Sequence, residues 1–256
     1  MIKKSCRHFP VGSGASPRIL PIIVLPVVLL CSCGIESYYY LPEVPAGNIT
    51  TSTNQWASIN LPSISQSYFS YFALYYRIYI SYEPMANIGT LAAVNPTLNA
   101  DYQYLSSYTN TTTPISVNVA SIMSSRGYQP LFFRTGSGSI SNDILDTGGG
   151  NLRIEFPISA SPPPYINFPG GTATLQRSNG SGTFNPLPDR YFLNTSQLND
   201  PSNISQTVNA DVVNAAGSGA VRYAYASLYI VSAGLNEQTY TPIFSIPTFV
   251  GIFRLP

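Results

Sequence analysis

Two runs of this chain alternate apolar and polar side chains and a third is apolar on both faces, and these patterns limit its fold more than any other feature. The run Phe72–Tyr82 is apolar at every even position, and so is Asn151–Ser159. A period of two is typical of a β-strand with one buried face, so the even-numbered side chains should point into the core. The run Tyr223–Ala233 is apolar on both faces, which predicts a central strand buried on both sides.

Shorter runs predict further strands at Trp56–Leu61, Ser116–Ala120, Pro130–Arg134, Ala173–Gln176 and Thr248–Phe253. One helix is expected, because Asn95 offers a capping side chain and Pro96 suits the first helical position. Apolar residues then recur at helical spacing as far as Leu105. The helix should end near Tyr108 and cover a sheet edge. Together these elements predict a mainly β domain, an antiparallel β-sandwich.

Residues 1–32 have the organisation of a signal peptide. Four basic residues precede an apolar run, Ile19–Leu30, that contains no charge. As a helix, this run would rise only about 18 Å, which is too short for the roughly 30 Å hydrocarbon core of a membrane. A short apolar run behind basic residues is typical of a secretory leader.

The leader ends in Leu30-Cys31-Ser32-Cys33, which resembles the lipobox of bacterial lipoproteins. The resemblance implies that Cys33 becomes the first residue after cleavage and carries the lipid. Cys31 is an alternative, but Leu30 would then precede it directly, where lipoprotein signal peptidase prefers a small residue. A plain secretory signal with incidental cysteines is the other alternative. Residues 33–50, rich in Tyr and Pro, should form an extended tether, and residues 51–256 a single β-rich domain.

The chain beyond the leader contains neither lysine nor histidine, and its basic residues are eight arginines against eleven carboxylates. Without histidine it has no imidazole base and no nucleophile–histidine pair, and without lysine no Schiff base. Cys33, the remaining cysteine, would be acylated. A carboxylate pair of the glycosidase type is the enzymatic option left, and no spacing singles one out. We therefore expect no enzyme activity, no catalytic residue and no cofactor.

The low charge also bounds the partners of the chain. Charged residues make up 9% of the sequence, against about 25% in a typical soluble protein. A net charge this close to neutral argues against a nucleic-acid partner, since binding to phosphates requires a basic surface. Asp143 and Asp146 offer oxygen atoms to a Ca²⁺ ion, but they do not match the spacing of an EF-hand loop. We expect a hydrogen-bonded turn there and no metal.

Two of the predicted strands resemble a known module. The segments Leu74–Tyr79 and Tyr225–Gly234 look like the C and F strands of fibronectin type III domains, and Thr241–Phe253 would supply the G strand. The long stretch between the proposed C and F strands would then be a large insertion that contains the predicted helix. The lipobox, and a body rich in Tyr, Ser and Asn whose only basic residue is Arg, also resemble the lipoproteins of spirochaetes.

These resemblances imply an envelope protein that its lipidated cysteine holds in a bacterial membrane, with the outer membrane expected. A β scaffold with long Gly/Ser/Asn loops and many tyrosines favours a non-catalytic binding or adhesion module for a protein or glycan ligand. The alternative is a structural or envelope-assembly lipoprotein without a ligand. The loops Gly136–Asn151 and Gln176–Tyr191 should carry the contacts, with Arg134, Arg177 and Arg190 as anchors. A structural ion pair is the alternative for each arginine.

Overall fold

The computed structural model describes the chain in segments, and the predicted leader, Cys33 and the first part of the predicted tether lie outside them. The described residues are 41–52, 55–84, 89–108, 119–135, 138–141, 143–144, 150–157, 162–169, 171–178, 184–186, 211–215, 219 and 221–255. Within these segments, every helix is too short or too polar to cross a membrane.

Fifteen strands, three α-helices and one 3₁₀ turn make up the regular structure of the described segments. The strands are β1 Ile49–Ser52, β2 Trp56–Leu61, β3 Phe69–Ser81, β4 Gln129–Pro130, β5 Phe132–Thr135, β6 Ile140–Ser141, β7 Asp143–Ile144, β8 Gly150–Glu155, β9 Tyr165–Phe168, β10 Gly171–Ser178, β11 Phe184–Pro186, β12 Val212–Val213, β13 Tyr223–Leu235, β14 Pro242–Phe244 and β15 Thr248–Arg254. The helices are α1 Leu91–Val94, α2 Pro96–Ser106 and α3 Val119–Ser125, and the 3₁₀ turn is Ala46–Asn48.

The strands form two sheets. The first has the order β1-β2-β8-β9-β10-β5-β6, with β11 also paired to β10. The second has the order β12-β3-β13-β14, with β15 also paired to β13, and with β4 and β7 paired to β3. Among the described strands, β12 runs parallel to β3 and the other pairings are antiparallel. The predicted mainly β, antiparallel architecture is therefore confirmed, with this parallel pair as an exception.

The inner faces of the two sheets share one hydrophobic core. The second sheet contributes the even-numbered side chains of β3 and β13 to this core. The first sheet contributes alternate side chains of β2, β8, β9 and β10. These are Phe72, Leu74, Tyr76, Ile78, Ile80, Ala224, Ala226, Leu228 and Ile230 from one sheet, and Ala57, Ile59, Leu152, Ile154, Ile166, Ala173 and Leu175 from the other. The predicted inward faces of the strands at 72–82 and 151–159 are confirmed where the structure describes them.

The odd-numbered face of β3, which the alternation predicts to face solvent, is buried instead. Tyr75 and Tyr79 pack under the helices, where α3 contributes Met123 to one cluster and α2 contributes Leu98 to another. The molecule therefore has a third, helical layer over the second sheet. The expectation that a single helix covers a sheet edge is wrong, because three short helices cover a sheet face.

The prediction of a central strand at Tyr223–Ala233 is confirmed. Strand β13 pairs with β3 along almost its whole length and with β15 and β14 on its other side. Its side chains from Ala224 to Ala233 are all buried. Being apolar on both faces is physically consistent with this position, since one face meets the first sheet and the other meets the helices.

Several boundaries differ from the predictions. Val119 begins a helix where a strand at Ser116–Ala120 was expected, and Leu131 separates β4 from β5 in the predicted strand Pro130–Arg134. Leu41 and Val44 are 2% and 0% exposed, so residues 41–50, which were predicted to form part of an extended tether, join the domain instead. Their apolar side chains gain burial against the domain that an extended tether in water would forgo.

Candidate functional site

Arg177, expected to anchor a ligand, is a core residue of β10 that is 3% exposed. Its Nε and Nη2 donate to the two carboxylate oxygens of Asp211 at 2.7 and 2.6 Å. The Tyr76 hydroxyl donates to the same carboxylate at 2.7 Å. Burial, together with the negative charge of Asp211, raises the pKa of Tyr76 well above its usual value. Arg177 thus forms the structural ion pair that was its alternative, and it is closed to a ligand.

A second buried charge pair lies between β3 and the helical layer, and the sequence prediction missed it. Arg77 donates through Nη1 to Asp101 Oδ2 at 2.5 Å, and the Tyr79 hydroxyl donates to the same oxygen at 2.6 Å. Arg126 Nη1 lies 3.6 Å from Asp101 Oδ1. A sequence signal for this cluster does exist: Asp101 lies three residues after Leu98, on the apolar stripe of α2, where an unpaired carboxylate would be costly.

Tyrosine hydroxyls extend this buried cluster into the sheet. The Tyr79 and Tyr128 hydroxyl oxygens lie 3.2 Å apart, and Ser227 Oγ lies 3.1 Å from that of Tyr128. Burial raises the pKa of Tyr128 to about 12 and also raises the pKa of Tyr79. These hydroxyls therefore stay protonated at neutral pH and act as fixed hydrogen-bonding groups. The cluster holds helices to sheet and is buried except at Arg126, whose side chain is 35% exposed.

Arg134, the other predicted anchor that the structure describes, lies on the solvent-facing side of the first sheet. The strand register places it in one row with Trp56, Glu155, Tyr165 and Thr174, on five adjacent strands. Arg134 is exposed, and the other four side chains of the row are partly exposed. We call this surface the outer face of the first sheet.

A second row on the outer face is polar and held by hydrogen bonds and an ion pair. Ser58 Oγ donates to Asn151 Oδ1 at 2.7 Å, and Thr172 Oγ1 donates to Asn167 Oδ1 at 2.6 Å. Arg153 pairs with the Glu155 carboxylate.

The same guanidinium lies 4.1 Å from the centroid of the Trp56 ring. Arg153 therefore joins the two rows, by its ion pair and by cation–π contact. These contacts fix side chains before any ligand arrives, which lowers the entropy lost on binding.

The two loops expected to carry the contacts are described only in part. The segment Gly136–Asn151 contains β6, β7 and the start of β8, and Gln176–Tyr191 begins inside β10 and includes β11. Arg190 and Cys33 lie outside the described residues, as does Asp146.

Asp143 lies in β7, opposite Ala73 of β3, and partial burial raises the pKa of its carboxyl group. In the described segments, no three His, Cys, Asp or Glu side chains are grouped closely enough to hold a metal ion.

Comparison with known proteins identifies no relative of this chain. The chain matches no protein-family model, no curated protein and no solved structure. Its function is therefore inferred from its own surface and sequence. The outer face is the best candidate site, because the described segments bury their other main polar clusters in internal contacts.

Proposed function

We propose that this protein is a lipid-anchored, non-catalytic binding module of a bacterial envelope, and that its protein or glycan ligand contacts the outer face of the first sheet. The observation that carries the proposal is the row in which Trp56, Tyr165 and Arg134 share one surface of a rigid sheet. Trp, Tyr and Arg are the side chains that most often dominate the binding energy of an interface.

The outer face is a better candidate than the opposite side of the molecule, because helices cover that opposite side. The helices bury the outward side of the second sheet, and the side chains in its two clusters are committed to packing. The rows of the outer face remain exposed or partly exposed. A sheet also holds its side chains more precisely than a loop does, which suits a binding surface.

Charge on the outer face is largely neutralised, because Arg153 and Glu155 pair with each other. The chain beyond the leader carries eight arginines and eleven carboxylates, so no strong field steers a partner. Association should therefore depend only weakly on ionic strength.

The ligand surface is tested with two exposed arginines, Arg134 on the outer face and Arg254 at the end of β15. Envelope and host-matrix components, proteins and glycans in separate arms, are screened against the lipidated protein in detergent micelles. For any ligand found, Arg134→Ala should raise the Kd roughly fivefold or more, and the matched variant Arg254→Ala should not. Equal effects of the two substitutions would remove the outer face from the proposal.

Anchoring through Cys33 is tested separately. Two or more acyl chains hold a protein stably in a membrane, whereas one chain is marginal. Cys33→Ser should therefore give a soluble or unprocessed form, measured by detergent phase partition and mass. A variant that partitions into detergent with the mature mass of the wild type contradicts the anchor. Protection of the domain from protease added to intact cells would favour the structural, envelope-assembly role instead.

We further propose that the second sheet is of the fibronectin type III kind. The support is its order: β13 lies between β3 and β15, and both pairings are antiparallel. The C, F and G strands of immunoglobulin-like sandwiches adjoin in this order. The helices between β3 and β13 correspond to the large insertion that the resemblance requires.

A further inference from the structure

The first described residues enter the domain beside β13, and their hydrogen bonds fix the direction of entry. The Thr248 hydroxyl, opposite Ile230 of β13, donates to the Val44 carbonyl at 2.7 Å, and the Ser232 hydroxyl donates to the Pro42 carbonyl at 2.7 Å. From Val44 back to Pro42, the chain therefore runs from the level of Ile230 towards that of Ser232. Leu41 lies on the way to the end of β13 and its turn to β14.

That turn, Leu235–Pro242, is tightly braced. Asn236 N donates to the Thr241 carbonyl at 2.9 Å, and Tyr240 N donates to the Asn236 carbonyl at 2.7 Å. The Asn236 side chain also accepts from the backbone N–H groups of Gln238 and Thr239, at 2.9 and 3.1 Å. A turn with this many internal bonds presents its side chains in fixed positions.

The turn presents apolar and aromatic groups to solvent. Tyr240 is 76% exposed and Leu235 is 40% exposed, and both are among the large hydrophobic residues that stand out on the described surface. Tyr240 has φ +54°, in the left-handed region that side chains other than glycine seldom adopt. Strained residues of this kind concentrate at functional positions.

Charge is scarce in the segments that form this end of the domain. Glu237 is the one charged residue between Leu235 and Ile243 in the sequence, and the connection Pro62–Tyr68 before β3 has none. The nearest other carboxylates, those of Glu43 between Pro42 and Val44 and of Asp143 opposite Ala73, lie further back along β13, near Val231 and Ser232. The two segments meet, since Leu235 N donates to the Tyr68 carbonyl at 2.9 Å. An end that carries tyrosine rings and little charge suits the headgroup region of a bilayer, where Tyr is enriched.

We propose that the Leu235–Pro242 turn contacts the lipid bilayer, with the Tyr240 ring among the headgroups. This inference rests on the proposed anchor at Cys33. Eight residues lead from Cys33 to Leu41, and a chain of that length spans at most about 28 Å. The lipid therefore keeps the entry end of the domain, and the turn beside it, close to the membrane surface.

Contact at this turn sets the orientation of the whole domain. β13 ends at the turn, so its axis points away from the bilayer. The outer face of the first sheet then stands to the side, open to a ligand from outside the membrane. We favour a bilayer over a protein as the partner of the turn, because the lipid anchor already holds the turn close to the membrane.

Trp56, the only tryptophan of the chain, makes the proposal testable by fluorescence. It lies on the outer face opposite Ser52. The neighbouring Thr51 packs beside Gly251, which pairs with Leu228 near the middle of β13, so Trp56 lies away from the turn. The lipidated protein and a Trp56→Phe/Tyr240→Trp variant are reconstituted into vesicles of phosphatidylethanolamine and phosphatidylglycerol that contain a spin-labelled phosphatidylcholine. Quenching is compared with unlabelled vesicles, and flotation with the vesicles reports the anchor.

We expect both proteins to float, a roughly twofold loss of emission from the double variant, and unchanged emission from Trp56. Flotation without quenching of the double variant overturns the contact and leaves the anchor standing. Quenching of Trp56 alone shows that the domain lies on its outer face and also overturns the contact. A protein that does not float refutes the anchor, and the contact with it.

A second pair of variants tests the same contact in case the double variant does not fold. Gln238→Cys on the turn and Thr172→Cys on the outer face each add one reactive thiol to a chain whose Cys33 sulfur is acylated. Both positions are exposed. Labelled with a polarity-sensitive dye, the Gln238→Cys protein should shift to the blue on vesicles, and the Thr172→Cys protein should not. Equal spectra on and off vesicles at Gln238 overturn the contact.

Discussion

Two arginines occupy the same kind of position in the sequence and opposite environments in the protein. Arg77 and Arg153 each lie on the polar side of an alternating strand, and each pairs with a carboxylate. The Arg77 side chain is 10% exposed and its partner Asp101 2%, whereas Arg153 is 41% exposed. The stability that each contributes should differ accordingly, because water screens only the second pair.

We predict that Arg77→Gln costs about 3–5 kcal/mol of unfolding free energy, since it leaves a buried carboxylate without its main partner. The matched change Arg153→Gln should cost less than about 1 kcal/mol. Urea unfolding of the two variants measures the difference. Equal midpoints would show that Arg126 and Tyr79 satisfy Asp101 on their own.

The same two arginines also show what could not be predicted from the sequence for single residues. Alternation separates the two faces of a strand, and both inward faces were predicted from it. It does not tell whether a further layer covers the other face, which depends on contacts that β3 makes with α2, 22 and 24 residues further along the chain. Arg134 was placed correctly at the surface, whereas Arg177, which alternates in phase with the inward side chains Ala173 and Leu175, was not recognised as buried.

At the scale of elements, the start of α2 combines a predicted contact with contacts that were not predicted. The Asn95 side chain accepts from Thr97 N at 2.9 Å, as a capping residue should. Its amide nitrogen also donates to the carbonyls of Ile80 and Asn214, at 2.9 and 3.0 Å. One side chain thus caps a helix and ties it to two other segments.

Asn95→Ala should therefore cost about 2–4 kcal/mol, the loss of a cap plus carbonyls left without a donor. Thr90 is the natural control, because it caps α1 by accepting from Ala93 N at 3.2 Å and is exposed. Thr90→Ala should cost about 0.5–1 kcal/mol. Thermal unfolding followed by circular dichroism compares them. A cost at Asn95 no larger than that at Thr90 would mean that the two carbonyl contacts contribute nothing.

Strong local signals explain which elements were predicted. The strands at β2, β3, β13 and β15 have long alternating or doubly apolar runs, and α2 has its cap and proline. The weak run at Ser116–Ala120 turned out to enter a helix, α3, because tertiary packing of Val119 and Met123 decides its conformation. The order in which the strands pair could not be predicted from the sequence, because strand register depends on partners that are distant in the chain.

For the whole molecule, buried tyrosines set the upper pH limit of the fold. Burial raises the pKa of Tyr75, Tyr128 and Tyr225 to about 12, against 10.0 for the free side chain. The folded state therefore favours the neutral form of each of these phenol groups. Their contribution to stability is therefore complete below pH 10, where both states are neutral, and is lost as the pH rises from 10 through about 12.

We predict that the buried tyrosines of the folded protein resist ionisation until the protein unfolds. Absorbance at the phenolate band and circular dichroism should change together in one steep step above pH 10, after a first phase from exposed tyrosines. In urea the same residues should titrate gradually around pH 10. A smooth phenolate titration of the folded protein that leaves its dichroism intact would contradict the buried positions of these rings.

The register of β3 with β13 has a consequence for synthesis. Ile78 pairs with Ala226, so one of the two central strands of the second sheet waits for its partner until most of the chain has left the ribosome. During that time β3 offers two apolar faces and unpaired backbone, a state that is slow to resolve and prone to aggregate. The delay also keeps the nascent chain unfolded, which is the state that export across a membrane under the proposed leader requires.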